Sequence, residues 1–317
     1  MSLPMAKKTD KELTLFDTEL KKQRYEAAID IWNNPGKAEF AAFQHSLFCQ
    51  AYFPYRNPGE EVTHWEHVQG RASLILQSLK VKNPETGSLD YIGLPYGTKA
   101  RLIMAYLNTQ AVKKQTPIID VENTITSFVK ELGLANKGKN ISEVKNQLAR
   151  IASSIITLNY ITEEQRSLNV QFSLVKKYDL WFPKDERQRV LWTSQIELTQ
   201  DYFEELVDRA VPLDIRALGA LKNNAMAIDI YSWLAQRLHR IPHGKPQFVS
   251  WKNLKDQFGG GYKDMKKFKQ VFRRTLDIVM DQYMGARIRE DKNKGYYLEN
   301  SPTPIEKKLM VIVGGKK

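Results

Sequence analysis

GGGYKDMKKFKQVFRRTLDIVMDQY, residues 259–283, sets six lysines and arginines within twelve positions, directly after three glycines. At the helical advance per residue, Lys263, Lys266, Lys267, Gln270, Arg273 and Arg274 fall within an arc of roughly 120°. Met265, Phe268, Phe272, Leu276 and Val279 fall on the opposite side. One face packs and the other is cationic. A solvated face usually mixes signs, with acids placed four positions from bases, and only Asp264 and Asp277 dilute this one. Solvent exposure is the plain reading, but like charges crowded on one turn are better accounted for by an anionic partner.

The flanking sequence gives this helix a setting. A short helix, WKNLKDQFG (251–259), precedes the glycines, and ARIRED and GYYLEN flank KNK after it as a hairpin. A short helix, a glycine turn and a long basic helix follow the helix-turn-helix order, in which the second helix enters the major groove. Lysine and arginine there neutralise phosphates or pair with guanine edges. Arg287, Arg289, Lys292 and Lys294 make the hairpin a wing suited to phosphates or a minor groove.

Charge is concentrated in the same region. The chain of 317 residues carries a net +12, and residues 211–317 hold 21 basic against 10 acidic residues, whereas residues 1–88 balance at 11 each. A basic excess gathered in one region points to a polyanion.

Upstream, the pattern predicts a helix over 8–33 closed by NNPG, a second over 37–51, and a hairpin of RASLILQSLKV and SLDYIGLP around KNPETG. A helix over 97–114, the strand TPIID, a helix ENTITSFVKELGL, the polar loop NKGKN (136–140) and a helix over 141–158 follow. NVQFSLVKKYDLWF and RVLWTSQIELT read as strands joined by PKDERQ. Helix, short strand, two helices and hairpin is the winged helix-turn-helix order. It recurs after the acidic helix QDYFEELVDR, where VPLDIRALGAL and AMAIDIYSWLAQRLHRI read as helices and PQFVSW as a strand. The expected fold class is therefore α+β, mainly helical, with two tandem winged helix-turn-helix domains. Residues 1–88 lead into a first domain at 89–198, a second spans 199–300, and 301–317 form a tail. On the helix 141–158, Asn146, Gln147, Arg150 and Ser153 lie opposite the apolar face of Ile141, Val144, Leu148, Ile151 and Ile155. Those polar groups suit phosphate or base-edge hydrogen bonds, and equally plain solvent.

Other chemistries lack their residues. The chain has no phosphate-cradling GxxxxGK[ST] loop, and its histidine pairs His64/His67 and His239/His243 have no third ligand or cysteine pair beside them. No acidic pair suits two-metal chemistry, so neither catalysis nor a metal or cofactor is expected. The single cysteine, Cys49, fits a reducing compartment, and no long apolar run suggests a membrane span or a leader. A cytoplasmic, nucleoid- or plasmid-associated protein is expected.

The chain resembles the plasmid-encoded RepA-type replication initiators. The matching stretches are VPLDIRALGALKNNAMAIDIYSWLAQRLHRI, SWKNLKDQFG, YKDMKKFKQVFRRTL, GLPYGTKARLIMAYLNTQAV, FVKELGL and FPYRNPGE, spread over residues 40–304. The resemblance implies two winged-helix domains that bind repeated double-stranded sites (iterons) at a plasmid origin, help open adjacent DNA and recruit the host initiator and replicative helicase machinery. It further implies a monomer–dimer equilibrium and copy-number control through autorepression. It assigns 263–274 as the iteron-reading helix and 141–158 as its counterpart in the first domain. A winged-helix transcriptional repressor fits the same residues.

Overall fold

The computed structural model describes residues 10–70, 72–82, 87–121, 129–130, 132–161, 167–173, 175–178 and 194–306. Its first helix, α1 (Asp10–Asn33), stops at the NNPG segment, where Gly36 takes φ +66°. The arginine of the following LDIR segment holds it down. The Arg216 guanidinium reaches the Asp30 carboxylate at 3.1 Å and the Asn34 carbonyl at 2.9 Å, and lies 3.6 Å from the Phe40 ring centroid. Gln282 donates to the Arg24 carbonyl, and Gly36 forms a bridge with Ile305, so this helix lies against the C-terminal part of the chain.

Where the sequence suggests a helix over 37–51, the structure has a single 3-10 turn and strand β1 (Ala41–His45). All five strand residues are buried. A short continuous apolar run cannot declare its own period, and here it pairs antiparallel with β11 (Ala210–Asp214). Strand β11 likewise replaces the start of the helix expected from 211, which begins only at Ile215, where Asp214 caps it by accepting from the Arg216 N–H.

A four-stranded antiparallel sheet forms in the order β2 (His64–Gln69), β3 (Ala72–Ser78), β7 (Ser154–Ile161), β8 (Ser167–Ser173). Strand β3 alternates strictly, with Ala72, Leu74, Leu76 and Ser78 facing inward. The hairpin expected around KNPETG is β4 (Lys80–Lys82) with β5 (Leu89–Tyr91), its tip lying outside the described residues. Helix α2 (Gly97–Lys114) follows as expected, then β6 (Ile118–Val121). The predicted helix 122–134 falls largely outside the described residues, as do the PKDERQ turn and the residues next to it, 179–182 and 189–193. Helix α3 runs over Gly138–Ala152, taking in half of the expected NKGKN loop and ending six residues early. The β-branched run after it, SIITLNYI, becomes β7, because β3 and β8 offer partners on both sides. Strands β9 (Val175–Tyr178) and β10 (Ser194–Leu198) complete a sheet of order β6-β10-β9.

The C-terminal third runs α4 (Gln200–Arg209), β11, α5 (Ile215–Leu221), α6 (Ala225–Arg237), β12 (Gln247–Ser250), α7 (Trp251–Phe258), α8 (Met265–Met280), β13 (Ile288–Asp291) and β14 (Gly295–Leu298). Helix α6 is buried over most of its circumference and acts as the central post. Its Asp229 takes two hydrogen bonds from Arg101 of α2, at 2.7 and 2.8 Å, with both side chains buried. The buried apolar residues form one connected cluster from Ala41 to Ile305.

Candidate nucleic-acid interface

The opening stretch folds around Phe268 and Phe272. Both are buried, and with Trp251, Phe258 and Tyr296 they form a cluster of edge-on and tilted ring pairs at 5.2–6.4 Å. Each such buried side chain contributes on the order of 2 kcal/mol, which fixes which face of α8 looks outward. Asp264 starts the helix. Its carboxylate accepts from the backbone N–H groups of Lys266 and Lys267, both at 3.0 Å, and those bonds hold its pKa below the usual carboxylate value. This acid therefore caps the helix, and its retained charge also acts on Lys266 beside it.

Of the three glycines, one is required by contact. A Cβ on Gly259 would stand 2.6 Å from the Lys255 carbonyl oxygen and 3.0 Å from Phe268, whereas Gly260 and Gly261 have open space. Gly259 closes α7, so that Phe268 can approach the helix end.

Strands β12, β14 and β13 form an antiparallel sheet, and its β13–β14 hairpin stands beside α8. The Trp251 N–H donates to the Lys294 carbonyl at 2.9 Å, which brings the first turn of α7 to the hairpin tip. Lys263, Lys266, Lys267, Gln270 and Arg274 of the α8 region are exposed, as are Arg287, Arg289, Lys292 and Lys294 of the hairpin. Among the described residues, none of these cations lies within ion-pair distance of a carboxylate. Arg289 lies 4.5 Å from the Tyr297 ring centroid. The sequence reading omitted Lys252 and Asn253, exposed on the first turn of α7 next to Lys294. Their signal was Ser250, whose hydroxyl caps α7 at Asn253 and so dates the helix start. Arg273 differs from the others, because its guanidinium is paired with Glu290 at 2.6 Å.

The second candidate group fares differently. On α3, Asn146 is exposed, but Gln147, Arg150 and Ser153 are buried. Arg150 donates to both Glu60 carboxylate oxygens at 2.8 and 2.7 Å, to the Leu94 carbonyl at 3.2 Å and to Asn146 at 2.7 Å. Gln147 accepts from the Tyr96 N–H at 2.8 Å, and Ser153 donates back to the Ala149 carbonyl. The expected open polar face is thus a clasp that holds the GLPYGTK segment, with Lys99 reaching Glu143 at 2.9 Å. Helical phase alone could not show this, since the segments that cover the face come from more than 40 residues upstream.

One member of each histidine pair finds a structural role. His67 bonds the Gln257 carbonyl at 3.0 Å and His239 bonds the Ala235 carbonyl at 3.0 Å. No group of three metal-ligating side chains occurs among the described residues, and no described helix is long and apolar enough to cross a membrane.

The family model for plasmid encoded RepA protein matches residues 94–253, just over half of the chain. The chain belongs to that family. The RepA match begins at the GLPYGTK clasp and ends in the first turn of α7, so α8 and the hairpin lie beyond it. Among solved structures, the selenomethionine crystal structure of domains 2 and 3 of RctB is similar at a TM-score of 0.51 and 13% identity, covering 80% of this RepA-family chain and 95% of that chain. A second crystal structure of RctB domains 2-3 gives a TM-score of 0.49 at 13% identity, covering 85% and 100%. The first shows a shared mixed α and β fold. No curated protein matches the RepA-family chain in sequence.

Proposed function

We propose that this RepA-family chain is a plasmid replication initiator, without catalytic activity of its own, that reads repeated double-stranded DNA sites with its C-terminal third. Helix α6, strand β12, helices α7 and α8 and the β13–β14 hairpin act together as a winged helix-turn-helix. Helix α8 enters the major groove, and the hairpin lies along the flanking phosphates. Lys266, Lys267, Gln270 and Arg274 supply base and phosphate contacts, Lys252, Lys292 and Lys294 phosphate contacts. The region of α2, β6, α3 and the following strands acts as a second winged unit that contributes backbone contacts and a dimer surface. Bound at the origin, the protein strains adjacent DNA and recruits host replication proteins.

The observation that carries this reading is the exposed row of cations on α8 and the hairpin, of which, among the described residues, only Arg273 lies within ion-pair distance of a carboxylate. The test places the gene, with neighbouring DNA that carries direct repeats, on a circle that cannot otherwise replicate. Maintenance of the circle in a permissive host is expected. Specific binding with no maintenance across several hosts would favour a repressor instead.

A further inference from the structure

We propose that Arg273 is a positioning residue that fastens the hairpin to the reading helix and takes no part in contacting bases. The inference rests on the DNA-reading role of this face. The Arg273 Nε and Nη2 groups both donate to one Glu290 carboxylate oxygen, at 2.9 and 2.6 Å, and Nη2 also reaches toward the Lys292 carbonyl at 3.4 Å. The guanidinium lies 4.9 Å from the ring centroid of Trp251, itself 3% exposed. One side chain of α8 thereby touches α7 and β13 together.

The strand alternation supports this assignment. Arg289 and Glu290 are neighbours on β13, with Arg289 over Tyr297 on the outer face and Glu290 turned inward to Arg273. A guanidinium matched to a carboxylate at this distance has little net charge left for a phosphate, and breaking the pair on binding would strand Glu290 beside the DNA. Its neighbours Lys266, Lys267 and Arg274 have no such partner among the described residues. Arg273 therefore fixes the angle between α8 and the hairpin, so that the cations on both act as one surface. The planar fork of arginine is needed for a contact that is hydrogen-bonded and stacked at once.

The experiment uses the full chain and a duplex that it selects from a random-sequence pool, alongside hydrogen exchange of residues 288–298 in the free protein. Arg273→Ala and Glu290→Ala should each speed exchange in the hairpin and each weaken duplex binding about tenfold, with the double variant no weaker than either single. The salt dependence of binding should change by less than about half a unit of slope. The charge-swapped pair, Arg273→Glu with Glu290→Arg, should recover part of the binding. The proposal is overturned if Glu290→Ala binds as tightly as the parent or tighter while Arg273→Ala loses about one unit of salt slope; Arg273 would then be a phosphate contact. If the pool yields no enriched duplex, the DNA reading fails. Exchange then decides alone: faster hairpin exchange in both variants supports the fastening, and unchanged exchange overturns it.

Discussion

The imidazole of His45 is buried against Tyr202, with ring centroids 5.5 Å apart and nearly parallel, and accepts the Leu47 N–H at Nδ1. Burial, with Arg209 as a second cause, lowers its pKa from 6.5 to about 3. The unfolded chain therefore binds the proton first. The stabilising contribution is complete above about pH 6.5 and is lost as pH falls, at up to about 1.4 kcal/mol per unit. The stability gap between the parent and His45→Gln, measured by denaturant unfolding, should be widest at pH 7 and narrow at pH 5. Two arginines predicted for the same role now part company. Arg274→Ala should weaken duplex binding by about 1–3 kcal/mol and leave the melting temperature unchanged. Arg150→Ala should leave the Leu94 carbonyl and Asn146 without their donor, lowering stability by about 2 kcal/mol. Binding titrations and melts of both variants check the contrast. Helical phase puts Arg274 on the exposed face, as the structure has it, because its own helix decides its exposure. It misplaced Arg150, because Glu60 and Leu94 come from distant segments.

At the level of elements, the turn between α7 and α8 separates three glycines that look alike in sequence. Gly259→Ala should cost about 1–3 kcal/mol, since its Cβ meets the Lys255 carbonyl and Phe268, a backbone atom and a packed ring. Gly260→Ala and Gly261→Ala should melt as the parent does, because nothing lies within 4 Å of either position. Thermal melts of the three single variants make the comparison. The strongly periodic helix α8 and the β13–β14 hairpin could be read from sequence, because each carries its period within itself. Strands β1, β7 and β11 could not. FAAFQH and AVPLD are apolar on both faces, and SIITLNYI continues the phase of the helix before it. Only the partners β3, β8 and the β1–β11 pairing settle these as strands.

Across the whole molecule, Arg101 ties the N-terminal half to α6. It meets Asp229 through two bonds, donates to the Phe53 and Gly97 carbonyls at 2.7 and 2.8 Å, and lies 5.1 Å from the Tyr55 ring centroid. Arg101→Met alone should destabilise by about 3–5 kcal/mol, because it leaves Asp229 buried and unpaired, and adding Asp229→Leu should recover much of that loss in denaturant unfolding. In sequence these two residues look like surface charges 128 positions apart, and no local pattern joins them. The charge asymmetry of the chain is legible in sequence, and its basic excess falls in the third of the chain that holds the candidate face. The direct test of that face is the salt dependence of binding to the selected duplex, for the parent chain and for a Lys267→Ala/Arg274→Ala double variant. The account predicts tight, steeply salt-dependent binding by the parent, and in the variant weaker binding with a slope lower by about one unit. Equal affinity and equal slope for the two proteins would contradict it.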